Sequence, residues 1–259
     1  MRVLAIYNLR GNEALLARQL AAVLGKTVYE ASSRVRAPGG GPSVVAAFAD
    51  PRAADAADET LRARGFDTLM LDEPDFEAEE RRFVVRGFEL GPDGMRLESR
   101  RGRLEAPYAG IDLMVRGVQI VRRPPANVPQ RAARKFSLAR TVITGGILMT
   151  KPAPPRWQPG SEDREGFLHL YGRGLPPLVW RAGELLYQSL GGTMQPSREG
   201  NFARVVDELR RRCTHAAYDE RLASRAGQAQ LLGSSLSPEE HLDVAISVLA
   251  GALRQPAAT

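Results

Sequence analysis

Cysteine is the scarcest residue that could carry chemistry: Cys213 is the only one in 259 residues. No intramolecular disulfide and no all-cysteine metal site can form. The three histidines, His169, His215 and His241, show no His-x-x-x-His spacing, and no regular aspartate loop of the calcium type occurs. No metal and no cofactor is expected. Long apolar runs are missing as well, since no window approaches the ~18 residues of a membrane span. The opening residues place Arg2 before an apolar stretch too short for a secretory signal, and Asn8, Arg10 and Asn12 interrupt it. The expected compartment is the cytoplasm.

Catalytic motifs are absent too. Gly25-Lys26-Thr27 invites a phosphate-loop reading, but the glycine required five residues earlier is Leu20. A helix precedes this segment and a strand is expected to follow, the reverse of what an anion cradle needs. The glycine run 39–41 has no lysine and reads as a loop. No G-x-S-x-G elbow exists, and Gly233-Ser234-Ser235 lacks its trailing glycine. Cys213 and His215 stand two apart, so on a helix they diverge. Asp219-Glu220-Arg221 reads as a surface charge cluster.

What is present is an ordinary globular composition, 43% hydrophobic and 25% charged, with a net charge of +6. The charge is segregated. Six of the nine residues from Asp72 to Glu80 are acidic, namely Asp72, Glu73, Asp75, Glu77, Glu79 and Glu80. From Arg122 to Lys151 there are seven basic residues (Arg122, Arg123, Arg131, Arg134, Lys135, Arg140, Lys151) and no acidic one.

Periodicity divides the chain. Val3–Tyr7 reads as a strand. Asn12 caps a helix carrying Leu15, Leu16, Leu20, Val23 and Leu24, and Gly25 stops it. Residues 27–35 read as strand, 37–42 as a breaker and 44–48 as strand. Asp50-Pro51 starts a helix through Arg64, and 66–71 form a fourth strand. This β-α-β-β-α-β order resembles the ferredoxin-like split motif over residues 1–72. The acidic residues 73–81 read as a solvated linker.

Beyond it the period becomes two. Strands are expected at 83–85, 88–90, 95–99, 104–108, 111–118, 166–171, 178–180 and 185–187, and an amphipathic helix follows Pro196-Ser197. The hairpin pair GMRLES and GRLEAPYAGIDLMVRG, followed by that closing helix, resembles a bacterial pleckstrin-homology-like domain. The resemblance implies a β-rich barrel over 82–225 with a basic insertion at 122–160, and a superfold that hosts many functions. Residues 226–259 read as a linker and a C-terminal amphipathic helix. That helix begins at the capping box Ser237-Pro238-Glu239-Glu240 and is striped by Leu242, Ala245, Ile246, Leu249 and Leu253. The expected fold class is α+β.

The expected function is that of a non-enzymatic regulatory or adaptor protein whose partner is another protein. Its contact residues would be the basic cluster and the stripe Leu242, Leu249 and Leu253, unless that stripe packs on its own domain. If Arg131–Ile143 is helical, the segment 122–151 could instead meet nucleic acid or an anionic lipid surface. A second alternative is an enzyme whose site assembles from Asp112, Glu165, His169 and Tyr187. Homodimerisation is a further alternative.

Overall fold

A computed structural model of the chain describes residues 1–122, 135–136, 150–151 and 162–255. The chain forms two compact units, Met1–Gln119 with Glu165–Thr259, and Ile120–Arg164. The architecture is mixed α and β with several sheets, none of which closes into a barrel.

The first unit begins with β1 (Arg2–Tyr7), α1 (Glu13–Leu24), α2 (Val28–Val35), β2 (Ser43–Phe48), α3 (Pro51–Ala63) and β3 (Asp67–Asp72). β1 is the middle strand of an antiparallel sheet, order β2-β1-β3. α1 starts and stops as its sequence dictates. The Asn12 side chain accepts from Leu15 N at 3.1 Å, and Gly25 takes the left-handed conformation at φ 62.

The strand expected at 27–35 is a helix. Thr27 and Glu30 form a reciprocal capping box, with Glu30 N donating to Thr27 Oγ1 at 3.2 Å and Thr27 N to Glu30 Oε2 at 3.0 Å. These bonds satisfy donors that a helix start would otherwise leave unpaired, so the cap overrides the β-branched residues.

The strands that follow divide between two sheets. β5 (Gly87–Leu90), β6 (Gly94–Ser99) and β7 (Gly102–Pro107) form an antiparallel meander. β4 (Phe83–Val85), β8 (Ile111–Arg122), β11 (Glu162–Gly172), β12 (Leu178–Arg181) and β13 (Ala217–Leu222) form a five-stranded sheet, order β13-β8-β11-β12-β4. β4 pairs parallel with β12 and β13 pairs parallel with β8, which leaves β4 and β13 as its two edges. The expected barrel is therefore not closed. Residues 185–187 form no strand; Leu185 N turns back to Arg181 O at 3.2 Å and its side chain is buried.

Three helices complete the unit: α4 (Arg198–Arg212), α5 (Arg225–Leu232) and α6 (Leu242–Arg254). α4 is capped by Ser197 and buries Phe202, Val205, Val206 and Leu209, as its periodicity predicts. α5 lies where a linker was expected, and buries Leu231 and Leu232. α6 begins at Leu242, not at the predicted capping box. Residues 237–240 form a turn instead, and Glu239 pairs with Arg225.

α6 buries Val244, Ala245, Ile246, Ser247, Val248, Leu249, Ala250 and Ala252, so nearly its whole circumference is covered. On one side lie Val3, Ala5, Tyr7, Val44 and Leu69 of the first sheet. On the other lie Leu113, Val115, Phe167, Tyr171 and Leu222 of the five-stranded sheet. The alternate strand positions face away. Leu4 and Ile6 pack under α1, α2 and α3, while Met114, Leu168, Leu170 and Trp180 pack with α4 and the meander. Residues of the first sheet and of the five-stranded sheet therefore share this core within the first unit.

In the second unit, β9 (Lys135–Phe136) and β10 (Thr150–Lys151) form an antiparallel ladder, Thr150 opposite Phe136. Ladder pairing at 135–136 is incompatible with one continuous helix over 131–143. Arg123, Arg131, Arg134 and Arg140 lie outside the described residues.

Leu249→Ala removes three carbons' worth of packing from the helix shared by two sheets, and should cost about 3 kcal/mol of stability. Gly117→Val should destabilise comparably, because a Cβ at Gly117 would stand far inside van der Waals contact with Phe167 Cζ. Denaturant midpoints measured on both variants check this.

Candidate functional site

Of the acidic residues 72–80, Glu73, Asp75, Glu79 and Glu80 are exposed, but the segment is anchored at several points. Asp72 pairs with Arg2 at 2.6 Å and Glu73 with the N-terminal amine at 3.1 Å. The next turn carries Glu77 inward, and its side chain is only 12% exposed. Two residues of β11 meet it there. Successive inward positions of a strand stand two apart, so Phe167, His169 and Tyr171 share the face toward α6. His169 Nδ1–H donates to Glu77 Oε2 at 3.1 Å, and Tyr171 O–H donates to Glu77 Oε1.

Arg82 completes the cluster. Its guanidinium donates to Glu77 Oε2 at 3.3 Å, to Glu79 Oε2 at 3.3 Å and to Asp243 Oδ1 at 2.7 Å at the start of α6. Ser247 of α6 accepts from the Glu77 backbone N–H at 2.9 Å. Arg254 stands 5.6 Å from the Tyr171 ring centre and pairs with Asp112 at 3.2 Å. The segment before β4 is thus bound to both α6 and β11.

The electrostatics follow from burial. His169 is 2% exposed, and burial pushes its imidazole below the ordinary 6.5, against the pull of Glu77. Burial alone would raise the Glu77 carboxyl. The hydrogen bonds from His169 and Tyr171 and the charge of Arg82 outweigh it and hold Glu77 below its ordinary 4.5. Burial, then the Glu77 charge, pushes the Tyr171 phenol well above 10. These groups are held in fixed protonation states at neutral pH, facing inward.

Among the described residues, two surface openings bear on binding. The first is a cleft of about 200 Å³ adjoining the cluster, lined by Glu79, Arg82, Val84, Arg86, Ser99, Arg100, Arg101 and Glu184. Arg181 holds both of its carboxylates, meeting Glu79 at 2.6 Å and Glu184 at 2.8 Å. The second is a groove of about 360 Å³ between α1 and α2, lined by Asn12, Glu13, Ala14, Arg18, Val28, Ser32 and Arg36. Glu13 and Arg36 pair at 3.2 Å at its side. Leu15, Val28 and Tyr29 on the same two helices are 56%, 48% and 87% exposed.

The residues singled out from sequence fall in several places. Leu249 is fully buried in the unit's own core, Leu242 is partly buried against the same core, and Leu253 is 37% exposed. Arg122 ends β8, Lys135 lies in β9 and Lys151 in β10. Of the four dispersed enzyme candidates, only His169 enters the buried cluster. Asp112 pairs with Arg254, Glu165 accepts from Gln119 Nε2 at 2.8 Å, and Tyr187 donates to Ala182 O at 2.9 Å. Cys213 is buried and burial raises its thiol to about 11, which makes it inert. Among the described residues no group of three or more His, Cys, Asp or Glu is placed to hold a metal ion.

Sequence reasoning missed Glu77, Arg82 and Tyr171. The His-x-Tyr spacing in a strand announced a shared face, but nothing in the sequence pointed to a partner 92 residues earlier. Tyr29 was missed because 27–35 was read as strand. No family model matches the chain, and no curated protein or solved structure matches it either.

Both buried groups make stability fall with acid. Below 6.5 an unfolded His169 takes up a proton that the folded one refuses, and below 4.5 the same holds for Glu77. The melting temperature should therefore be flat between about pH 7 and 8 and decline below about 6.5. His169→Asn, which places an amide donor near the Nδ1 position, should flatten the upper part of that decline. Glu77→Ala leaves Arg82 buried and short of a partner, and should cost about 3 kcal/mol at pH 7.

Proposed function

We propose that the protein is a non-enzymatic regulatory or adaptor protein that binds another protein through the groove between α1 and α2. The exposure of Tyr29 carries this reading. A large aromatic that is 87% exposed, next to the half-exposed Val28, is costly surface for a folded chain and is the residue type that dominates interface energies. The groove contributes Ala14 and Val28, and Leu15 and Tyr29 stand exposed on the same two helices, so a partner helix laid along them would find apolar anchors on both. Arg18 at its wall suits a partner with acidic residues flanking those anchors. The non-enzymatic part is supported by the chemistry of the buried cluster, whose imidazole and phenol face the interior.

Affinity capture from the native cell, run with the wild-type protein and with Tyr29→Glu, tests this. A partner that persists at high salt is expected on the wild type alone. Calorimetry with that purified partner should then show Tyr29→Glu weakening binding about 30-fold, a hot-spot effect near 2 kcal/mol. Equal affinity of the two proteins removes the proposal.

A second reading rests on the seven basic and no acidic residues of 122–151, which favour nucleic acid or an anionic lipid surface. Binding that weakens steeply with salt, and is abolished by alanine at Arg131, Arg134, Lys135 and Arg140, is its expected signature. The finer fold assignments belong with these proposals. The β1-α1 start and the α3-β3 return support a ferredoxin-like ancestry for the N-terminal part. The meander β5–β7 with β8 and the closing α4 support a PH-like one for the rest.

A further inference from the structure

We propose that the arginine cleft beside β4 is a binding site for a phosphoryl group, separate from the protein-docking groove and independent of it. The cleft's own carboxylates are already neutralised. Glu79 accepts from both terminal nitrogens of Arg181, at 2.9 and 2.6 Å, and from Arg82 at 3.3 Å. Glu184 accepts from Arg181 at 2.8 Å. Arg86, by contrast, comes no nearer than 3.9 Å to Glu184. Arg101 spends one donation on the backbone carbonyl of Glu80. Arg100 has no carboxylate partner among the described residues. Three guanidiniums, with five N–H donors each, thus line one cleft with most of those donors unspent.

The floor is fixed. Arg82 has a side chain 5% exposed, and Glu77, Glu79 and Asp243 match its charge, so it gives the cleft a rigid base while the free charge comes from the arginines above it. The rim is shaped by a local turn, in which Arg101 N donates to Ser99 Oγ at 3.0 Å and sets the Arg100-Arg101 backbone at the end of β6. Guanidinium forks match the oxygens of phosphate and give charge-assisted hydrogen bonds. A single carboxylate would engage one fork, whereas a doubly charged tetrahedral group can be shared by three. The volume, about 200 Å³, is below the ~300 Å³ at which pockets begin to enclose a whole drug-sized ligand. The site therefore takes one phosphoryl group with the rest of its carrier outside.

The carrier is either a small phosphate ester or a phosphorylated side chain, and the test separates them. Pyrophosphate is titrated calorimetrically into the full-length protein at constant ionic strength, for the wild type and for Arg100→Ser/Arg101→Ser. Arg103→Ser serves as control, since Arg103 pairs with Glu98 and lies outside the cleft. Binding to the wild type and control is expected at micromolar to low millimolar concentration. The double variant should bind about tenfold more weakly or worse, since each lost charge-assisted hydrogen bond is worth at least that factor. Its unfolding midpoint should stay unchanged because both side chains are exposed. Citrate should bind more weakly than pyrophosphate. A phosphoserine peptide that binds more tightly than free phosphoserine identifies a side-chain carrier, and equal binding identifies a small molecule. No binding by the wild type, equal binding by the double variant, or citrate matching pyrophosphate each overturns the assignment.

Discussion

Burial of α6 on two sides at once is the constraint on which the rest of the first unit depends. A helix that is apolar around nearly its whole circumference cannot rest on a single sheet, because half of it would face water. Here the first sheet covers one side through Val3, Ala5 and Leu69, and the five-stranded sheet covers the other through Val115, Phe167 and Leu222. Neither sheet can then expose its inner face without uncovering the helix. The residues that join β3 to β4 must pass beside α6 to connect the two sheets. That passage brings acidic residues close to a hydrophobic layer.

The buried cluster is the consequence. A carboxylate entering such a place needs partners for both oxygens, or it costs several kcal/mol. Glu77 obtains them from His169, Tyr171 and Arg82, and its backbone N–H is taken by Ser247. Arg82 in turn needs more than one acid and reaches Asp243 and Glu79. Glu79 extends the network to Arg181, and Arg181 to Glu184. A continuous line of alternating charge therefore runs from the interior to the arginine cleft. The rigidity of the cleft floor derives from the satisfaction of a buried carboxylate.

The two surface openings differ in physical character. The groove between α1 and α2 mixes Ala14 and Val28 with Glu13, Arg18 and Arg36, and the exposed Leu15 and Tyr29 on the same two helices supply the apolar contacts that would resist salt. The arginine cleft is lined mainly by charged side chains with unspent donors, so its polar contacts would be screened by salt. Their lack of overlap allows one chain to hold a protein partner and a phosphoryl group together.

Local signals in the sequence were legible wherever the local physics decided the outcome. Asn12 and Gly25 bound α1, Asp50-Pro51 starts α3, Ser197 starts α4, and the period-two runs from Phe83 to Val118 became strands. The misreading of 27–35 was avoidable, since Thr-x-x-Glu is a capping box that outranks β-branched content. Other outcomes were set at long range. Whether Leu249 meets a partner or its own core depends on which sheets flank α6, and those sheets contribute residues 27 to 246 positions away. The pairing of Glu77 with His169 spans 92 residues, and the strands divide between two sheets through parallel pairings that no hairpin turn specifies. The sequence by itself determined where helices and strands begin and which faces are apolar, because caps and periodicity act within a few residues. Only the tertiary structure decided which apolar faces meet and which charges are buried, because each requires segments far apart in the chain to exclude water together.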